Sequence, residues 1–370
     1  MITKLIHKIQ KKNSNELFLS ELLKNTFNRS KLEQIYTEYD IDINYINEKG
    51  ENFLYLSLYE SQLSSANWLL EKNINVDIET IDGYTPFDVA IDNQNHRIVK
   101  KILSLVEIDV NKKDLHGRTK LQDSVMLGDH EMAKTLIEYG ADLNSQDNKN
   151  QNVLNDALSY GHKNFLYYLI SLKKIDLNNI DIEQNCALHH PFVLDNDEVA
   201  LELIRNGANP NLRDKEGSTY VSTVAQRGIE SFGIIETIID NGFDINSRVG
   251  NKNTILMEVL SSLSNISSED EAKRNSLLLM GEKLIDIGVD VNAQDENGEH
   301  VLFHTVKNSD LKSTLMLLKK EVAVNIQNKN NETVLFYACY GGIEKLEITI
   351  ALLKYKADPT IKNSKDQTIL

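Results

Sequence analysis

Short apolar-periodic runs alternate with polar, turn-rich connections along most of this chain. The stretch from Asp114 to Asp147 shows the pattern in full. Leu121 and Val125 stand four apart, which places them on one face of a short helix. Thr119 precedes that helix, where a hydroxyl accepts a hydrogen bond from an unpaired backbone N–H. Gly128-Asp129 follows, and glycine supplies the positive φ of a tight turn. Met132, Ala133, Leu136 and Ile137 form the apolar stripe of a second helix, which closes at Gly140. Read cyclically, Asp142 through Gly117 is polar and predicts a hairpin-like connection from one copy to the next.

A unit of this size cannot bury its apolar face alone; stacked on like neighbours it can. A fixed period is therefore the signal that decides the fold class. The Thr119 position recurs at Asn52, Thr85, Thr119, Asn152, Cys186, Thr219, Thr254, His300, Thr333 and Thr368. Successive positions are 33 to 35 residues apart, except for one interval of 46 between Thr254 and His300.

The frame resembles the ankyrin repeat, whose period and Thr-Pro-Leu-His-x-Ala core it approaches. Gly83-Tyr-Thr85-Pro86-Phe87-Asp-Val-Ala90 is the best match to the first helix. Gly140-Ala-Asp-Leu-Asn144 and Gly207-Ala-Asn-Pro-Asn211 match the segment that follows the second helix, with Gly242-Phe-Asp-Ile-Asn246 and Gly288-Val-Asp-Val-Asn292 as near matches. Only the second repeat keeps the Thr-Pro pair, and the core histidine stands in place only at His189. The resemblance runs from Asn44 to Asn363. It implies an all-α, ankyrin-type helix-turn-helix solenoid with short β-hairpin or loop fingers.

In chain order, residues 1–43 are read as an N-terminal helical cap. It has a short amphipathic helix around Leu5, Ile6 and Ile9, then a degenerate helix pair at Leu17–Leu23 and Leu32–Tyr39. Residues 44–362 form the repeat array. Pro191 falls inside the first helix of the fifth repeat, where it removes a backbone donor and clashes with the preceding turn. That helix is expected to be one turn long or broken, with an irregular Phe192–Asp195 segment after it. The sixth repeat carries two extra residues near Ile229–Phe232. The long interval adds 13 residues to the seventh repeat, around 261–276. Ser268-Glu-Asp-Glu271 fits a capping box that starts an extended second helix near Glu269, with the run Leu277-Leu278-Leu279-Met280 and then Leu284-Ile285 as its buried face. Residues 363–370 open a tenth frame that stops inside its first helix, the expectation for a fragment of a longer protein or for a frayed end.

Composition narrows the function. The formal net charge of −15 disfavours direct binding to nucleic acid or to an anionic membrane, both of which reward Lys and Arg. It favours solubility and a partner with a basic surface. Cys186 and Cys339 lie several repeats apart, so they are read as reduced thiols rather than a disulfide. No secretion signal and no membrane-length apolar run is present, which points to the cytoplasm, with delivery into another cell left open.

The chemistry of enzymes is missing from the motifs. The chain has no phosphate loop, no dinucleotide fingerprint, no His-Glu-x-x-His, no Gly-x-Ser-x-Gly and no Cys-x-x-Cys. His189 is expected to brace neighbouring repeats. His300 and His304 share a helix face, but two ligands make a poor zinc site, so no metal and no cofactor is expected. Cys186, at the threonine position, is expected to be packed and inert. Asp147, Asp181, Asp214 and Asp295 recur at repeat starts, where they are read as turn formers.

The resemblance implies that a partner is held by finger tips and by the exposed side of the first helices. Projected through the frame, repeats two to five place Tyr84, His116, Arg118, Met126, Leu127, Gln151, Tyr160, Ile182, Val193 and Leu194 on that stripe. It is apolar and aromatic with an Arg, as interface centres are. The alternative for Met126, Leu127, Val193 and Leu194 is burial between repeats. Repeats one and eight place Glu48, Lys49, Glu51, Glu60, Glu296, Glu299 and Lys307 there, which read as solvated. The expectation is a non-catalytic scaffold or adaptor that binds one or more proteins and takes no small-molecule substrate. Two other readings stand beside it: the targeting arm of a longer enzyme or secreted effector, and an acidic inhibitor that imitates nucleic acid.

Overall fold

The computed structural model describes residues 2–249, 252–267 and 269–369, and of these it gives residues 2–10 and Glu344 by backbone only. Among the described residues, twenty α-helices and four short 3₁₀ turns make up the regular structure, and β-structure is confined to isolated antiparallel bridges. The chain divides into two compact units, residues 1–165 and 166–370. Each is a series of antiparallel helix pairs.

The periodic marker turns out to be a helix N-cap. Asn52, Thr85, Thr119, Asn152, Thr219, Thr254, His300 and Thr333 each sit in extended backbone immediately before a first helix, and Cys186 does so before a 3₁₀ turn. Extended φ/ψ at this point lets a side-chain oxygen turn back onto the free N–H groups of the first turn. Thr85 does this reciprocally: its Oγ1 accepts from the Asp88 N–H at 3.1 Å while Asp88 Oδ2 accepts from the Thr85 N–H at 2.8 Å.

In the first unit, the pairs are Phe53–Tyr59 with Leu63–Glu71, Pro86–Asp92 with His96–Leu105, and Lys120–Met126 with His130–Glu138; Val153–Ser159 is the first helix of the fourth repeat. The amphipathic spacing is realised as packing, with Leu121, Val125, Met132, Ala133 and Leu136 fully buried. Ahead of the repeats, a single 21-residue helix, Ile2–Leu22, replaces the two short helices that the sequence pattern predicts. With Arg29–Glu38 it covers the first repeat. Phe18 meets Phe53 edge-on at 5.0 Å, and Tyr36 meets Trp68 edge-on at 5.7 Å. Trp68 donates its indole N–H to Glu33 Oε1 at 2.9 Å, so the buried ring leaves no donor unpaired.

The second unit carries the irregular repeats. The first helix of the fifth is broken as expected, into a 3₁₀ turn, Ala187–His189, and a short α-helix, Pro191–Leu194. The segment after Pro191 is helical rather than irregular, because proline suits the first position of a new helix. In the sixth repeat the two extra residues form a 3₁₀ turn, Ile229–Ser231, before Phe232–Asp240. In the seventh, Ile255–Ser262 is followed by a 16-residue helix, Glu271–Asp286, with Leu277, Met280, Gly281 and Leu284 buried. Its N-cap is Asp270, which accepts from the Lys273 N–H at 3.0 Å; Ser268, the expected cap, lies outside the described residues. The eighth repeat pairs Val301–Lys307 with Leu311–Lys319, and the ninth pairs Val334–Cys339 with Leu346–Lys354. The tenth frame forms its finger around Asn363 but no helix among the described residues.

Neighbouring repeats are stapled by asparagine. Asn111 Oδ1 accepts from the Asp142 N–H at 2.7 Å while its Nδ2 donates to the Gly140 carbonyl at 3.2 Å. Asn178, Asn211, Asn246 and Asn325 make the same two-way link to the repeat that follows each of them. The asparagine that closes the Gly-Ala-Asp-x-Asn segment is therefore an inter-repeat fastener.

Candidate partner-binding surface

Several fingers are built by one side chain each. Asp114 Oδ1 accepts from the backbone N–H groups of His116 and Arg118, both at 2.8 Å. Asp147 does the same for Lys149 and Gln151, at 2.8 and 2.9 Å. Asp181, Asp214 and Asp295 repeat the device, which gives the periodic carboxylates their turn-forming role. Adjacent fingers then join edge to edge: the Ile81 N–H reaches the Lys49 carbonyl at 2.9 Å, and the Asn148 N–H reaches the His116 carbonyl at 3.0 Å. Gly117 is required here, because its φ is +76° and a Cβ would lie 2.5 Å from Asn148 Oδ1.

In the first unit, Tyr84, Leu127 and Tyr160 are exposed, at 44%, 61% and 50%. His116 is also exposed, and Arg118, Met126 and Gln151 are half-buried. Arg118 lies back on the first helix of its own repeat, with Nη1 2.8 Å from Met126 Sδ. Lys120 is set between repeats, 5.6 Å from the Tyr84 ring centre and 3.4–3.7 Å from carboxylate oxygens of Asp88, Asp92 and Asp123. Burial works to lower the Lys120 pKa, but the three carboxylates outweigh it and hold it up. Burial raises Asp123. Beneath this surface Asp156 is buried; burial pushes it up to about 7, against the opposing pull of the Gln122 amide at 3.1 Å and the Arg118 charge.

Two tyrosines belong to this stripe that the sequence reading omits. Tyr59 is 65% exposed and stacks on Tyr55 at 6.3 Å. Burial raises the Tyr55 pKa, with Glu51, Tyr59, Asp82 and Tyr84 adding to it, so the pair continues the Tyr84 surface. The signal was available, since Tyr59 sits seven residues after Asn52 as Met126 does after Thr119.

In the second unit, Ile182 is an exposed finger residue and Leu194 is half-buried. Val193 is a correction: it is fully buried and offers nothing to a partner. The frame projects it outward from a continuous helix, but the chain breaks at His190. His190 caps the new helix through Nδ1, which accepts from the Phe192 N–H at 3.2 Å, and the restart turns Val193 inward. Glu299 is a second correction, since the sequence reads it as solvated. It is only 4% exposed and binds the Lys307 ammonium at 2.5 and 2.6 Å.

The histidines separate by role. His189 Nδ1 lies 3.5 Å from the backbone nitrogen of its own helix cap, Cys186, and burial lowers its pKa. Burial raises the Cys186 thiol, so it is a poor nucleophile. His300 is fully buried, packed edge-on against Phe303, and pushed down to about 4 by burial. It does not pair with His304. That ring instead joins Asp295 and Glu299 in a cluster whose ligand atoms lie within 4.8 Å of one another.

Fingers fixed by side-chain turns, and first helices that carry exposed aromatic and aliphatic groups beside carboxylates, define a repeat protein that displays residues along a surface. Three segments, residues 13–114, 121–214 and 271–363, match the family model described as ankyrin repeats (3 copies), and the chain belongs to the ankyrin-repeat family. Ankyrin repeats generally mediate protein–protein interaction, and the family and fold are typically non-catalytic. Among curated relatives, a putative ankyrin repeat protein of Acanthamoeba polyphaga mimivirus is 24% identical over 52% of this chain and 24% of its own length. A probable 26S proteasome regulatory subunit of Saccharomyces cerevisiae is 29% identical over 45% of this chain and 75% of its own. Rabankyrin-5 of Mus musculus is 24% identical over 46% and 15% respectively. The chain thus spans only a minor part of the viral and mouse proteins. The crystal structure of the ankyrin repeat domain of Bcl-3 aligns with a TM-score of 0.47 and 19% identity, over 57% of this chain and 95% of that one. No helix among the described residues is long and apolar enough to cross a membrane.

Proposed function

We propose that this chain is a non-catalytic scaffold that holds a protein partner against the finger tips and first helices of its first unit. The observation that carries the reading is the exposed line of Tyr59, Tyr84, Leu127 and Tyr160 beside Asp88, Asp92 and Asp123. Aromatic rings supply contact area at low entropic cost, and clustered carboxylates select a partner that presents Lys or Arg next to aliphatic groups. Ile182 and Leu194 offer smaller contacts in the second unit. The exposed, unpaired thiol of Cys339 supports a reducing compartment such as the cytoplasm.

The test is affinity capture from cells that express the protein, with wild type and the Leu127→Glu/Tyr160→Ala double variant as bait. Captured proteins are identified by mass spectrometry, and binding is measured at low and high salt. Loss of capture by a variant with native circular dichroism, and binding that weakens as salt rises, are the expected results. Unaltered capture by the folded variant removes the reading.

A further inference from the structure

The Asp295–Glu299–His304 cluster belongs to the second unit, and the scaffold reading does not use it. Asp295 and Glu299 stand on the finger of the eighth repeat, and His304 projects from the first helix behind it. Both carboxylates are almost fully enclosed, with side chains 4% and 5% exposed. His304 Nε2 lies 3.4 Å from Asp295 Oδ2, yet it is buried and makes no hydrogen bond. The other ring nitrogen, Nδ1, is held 3.3 Å from Ser261 Oγ. An enclosed ring nitrogen aimed at two carboxylates, its far side fixed by a hydroxyl, is the arrangement that an imidazole ligand adopts around a metal.

The repeat architecture accounts for Asp295 as a turn former but not for the set. The same three frame positions hold Asn328, Glu332 and Tyr337 in the ninth repeat and Asp181, Asn185 and His190 in the fifth. No other repeat brings two acids and a histidine to these positions. Charge supports the same conclusion. Two enclosed carboxylates face one ammonium, Lys307, which spans both oxygens of Glu299 and rests 4.7 Å from the Tyr337 ring centre. Enclosed charge that is not fully paired is costly, and a cation relieves it. A cleft of about 330 Å³, lined in part by Ser261, Asn265, His304 and Lys307, opens beside the cluster and gives an ion and its waters a way in.

We propose that Asp295, Glu299 and His304 bind a divalent transition-metal cation, with Zn²⁺ as the best fit. Two carboxylate oxygens and one imidazole nitrogen supply three ligands, and water from the cleft fills the open position. With its proton on Nδ1 and shared with Ser261, His304 presents the Nε2 lone pair to the ion. Lys307 must release at least one Glu299 oxygen. Its side chain is 39% exposed, so it can swing into the cleft. Metal and lysine therefore compete for Glu299.

The experiment uses the full chain stripped with a chelator, titrated with Zn²⁺ by calorimetry and with Co²⁺ by visible absorption, and with Mg²⁺ as the hard-cation control. His304→Ala removes the nitrogen. Asp295→Asn removes a charge but keeps the turn, as Asn328 shows naturally. One Zn²⁺ per chain is expected, at least tenfold weaker in each variant and accompanied by a Co²⁺ ligand-field band that His304→Ala abolishes. Lys307→Met should strengthen Zn²⁺ binding severalfold, which loss of a merely structural ion pair cannot produce. Absence of Zn²⁺ binding, an affinity unmoved in folded His304→Ala and Asp295→Asn, or preference for Mg²⁺ overturns the proposal.

Discussion

Replacing Asp156 with asparagine should stabilise the first unit, and only above the acidic range. Asp156 lies in the first helix of the fourth repeat with 7% of its surface exposed. Burial lifts its pKa from 3.8 to about 7, and Asp147 and Asp123 add to the lift. The Gln122 amide and Arg118 oppose it without cancelling it. In the unfolded chain the group titrates near its ordinary value, so between about pH 4 and pH 7 the folded state holds a proton that the unfolded state has released. Stability from this group is thus full below about pH 4 and is lost as pH rises through about 7. At ~1.36 kcal/mol per pH unit the whole conversion is worth about 4 kcal/mol. Local opening that admits water to the ionised group reduces the measured difference to about 2–4 kcal/mol. Asparagine keeps the acceptor for Gln122 and never ionises. Urea unfolding followed through the single tryptophan, the buried Trp68, reports the first unit. Asp156→Asn and wild type should come closest near pH 4 and below, and diverge by at least about 2 kcal/mol at pH 8.5, the variant being the more stable. A difference that stays constant across that range refutes the burial argument.

Four further outcomes follow from named contacts. Asn111→Ala removes both links to the next repeat and should cost about 1 kcal/mol in a urea melt, each hydrogen bond being partly replaced by water. Gly117→Ala forces a Cβ against Asn148 at a positive φ and should cost about 1–3 kcal/mol, with earlier proteolysis at the fingers as a second readout. Trp68→Ala should cost about 3–5 kcal/mol by circular dichroism, since it empties a site walled by Phe18 and Tyr36. Val193→Asp should lower the thermal midpoint of the second unit, because it buries an unpaired charge, while Ile182→Asp should leave it in place.

The repeat frame was legible because its marker is a physical requirement. A first helix needs an acceptor at its N-cap, and Thr or Asn meets that need at Asn52, Thr85, Thr119, Asn152, Thr219 and Thr254. His300 and Thr333 hold the position without a side-chain hydrogen bond to the helix, and Cys186 meets its turn only through sulfur, so there the period had to carry the register. Surface positions were legible wherever the first helix is continuous, as for Leu127 and Tyr160. Val193 was misplaced because one proline resets helical phase, which no fixed offset anticipates. The cluster at His304 escaped a motif search for another reason. Its members come from a finger and from the helix behind it, and charged Glu299 reads as solvated until the fold encloses it.

The finger turns carry a consequence for how such a chain can diversify. Because one carboxylate oxygen knots the loops at Asp114, Asp147 and Asp181 from their first residue, the side chains three places before each helix cap take no part in those turn bonds. His116, Lys149 and Glu183 occupy the same point on successive loops with unlike charges and sizes. Folding and recognition are thus written in separate letters, and a new specificity can be composed at the tips without redrafting the frame beneath them.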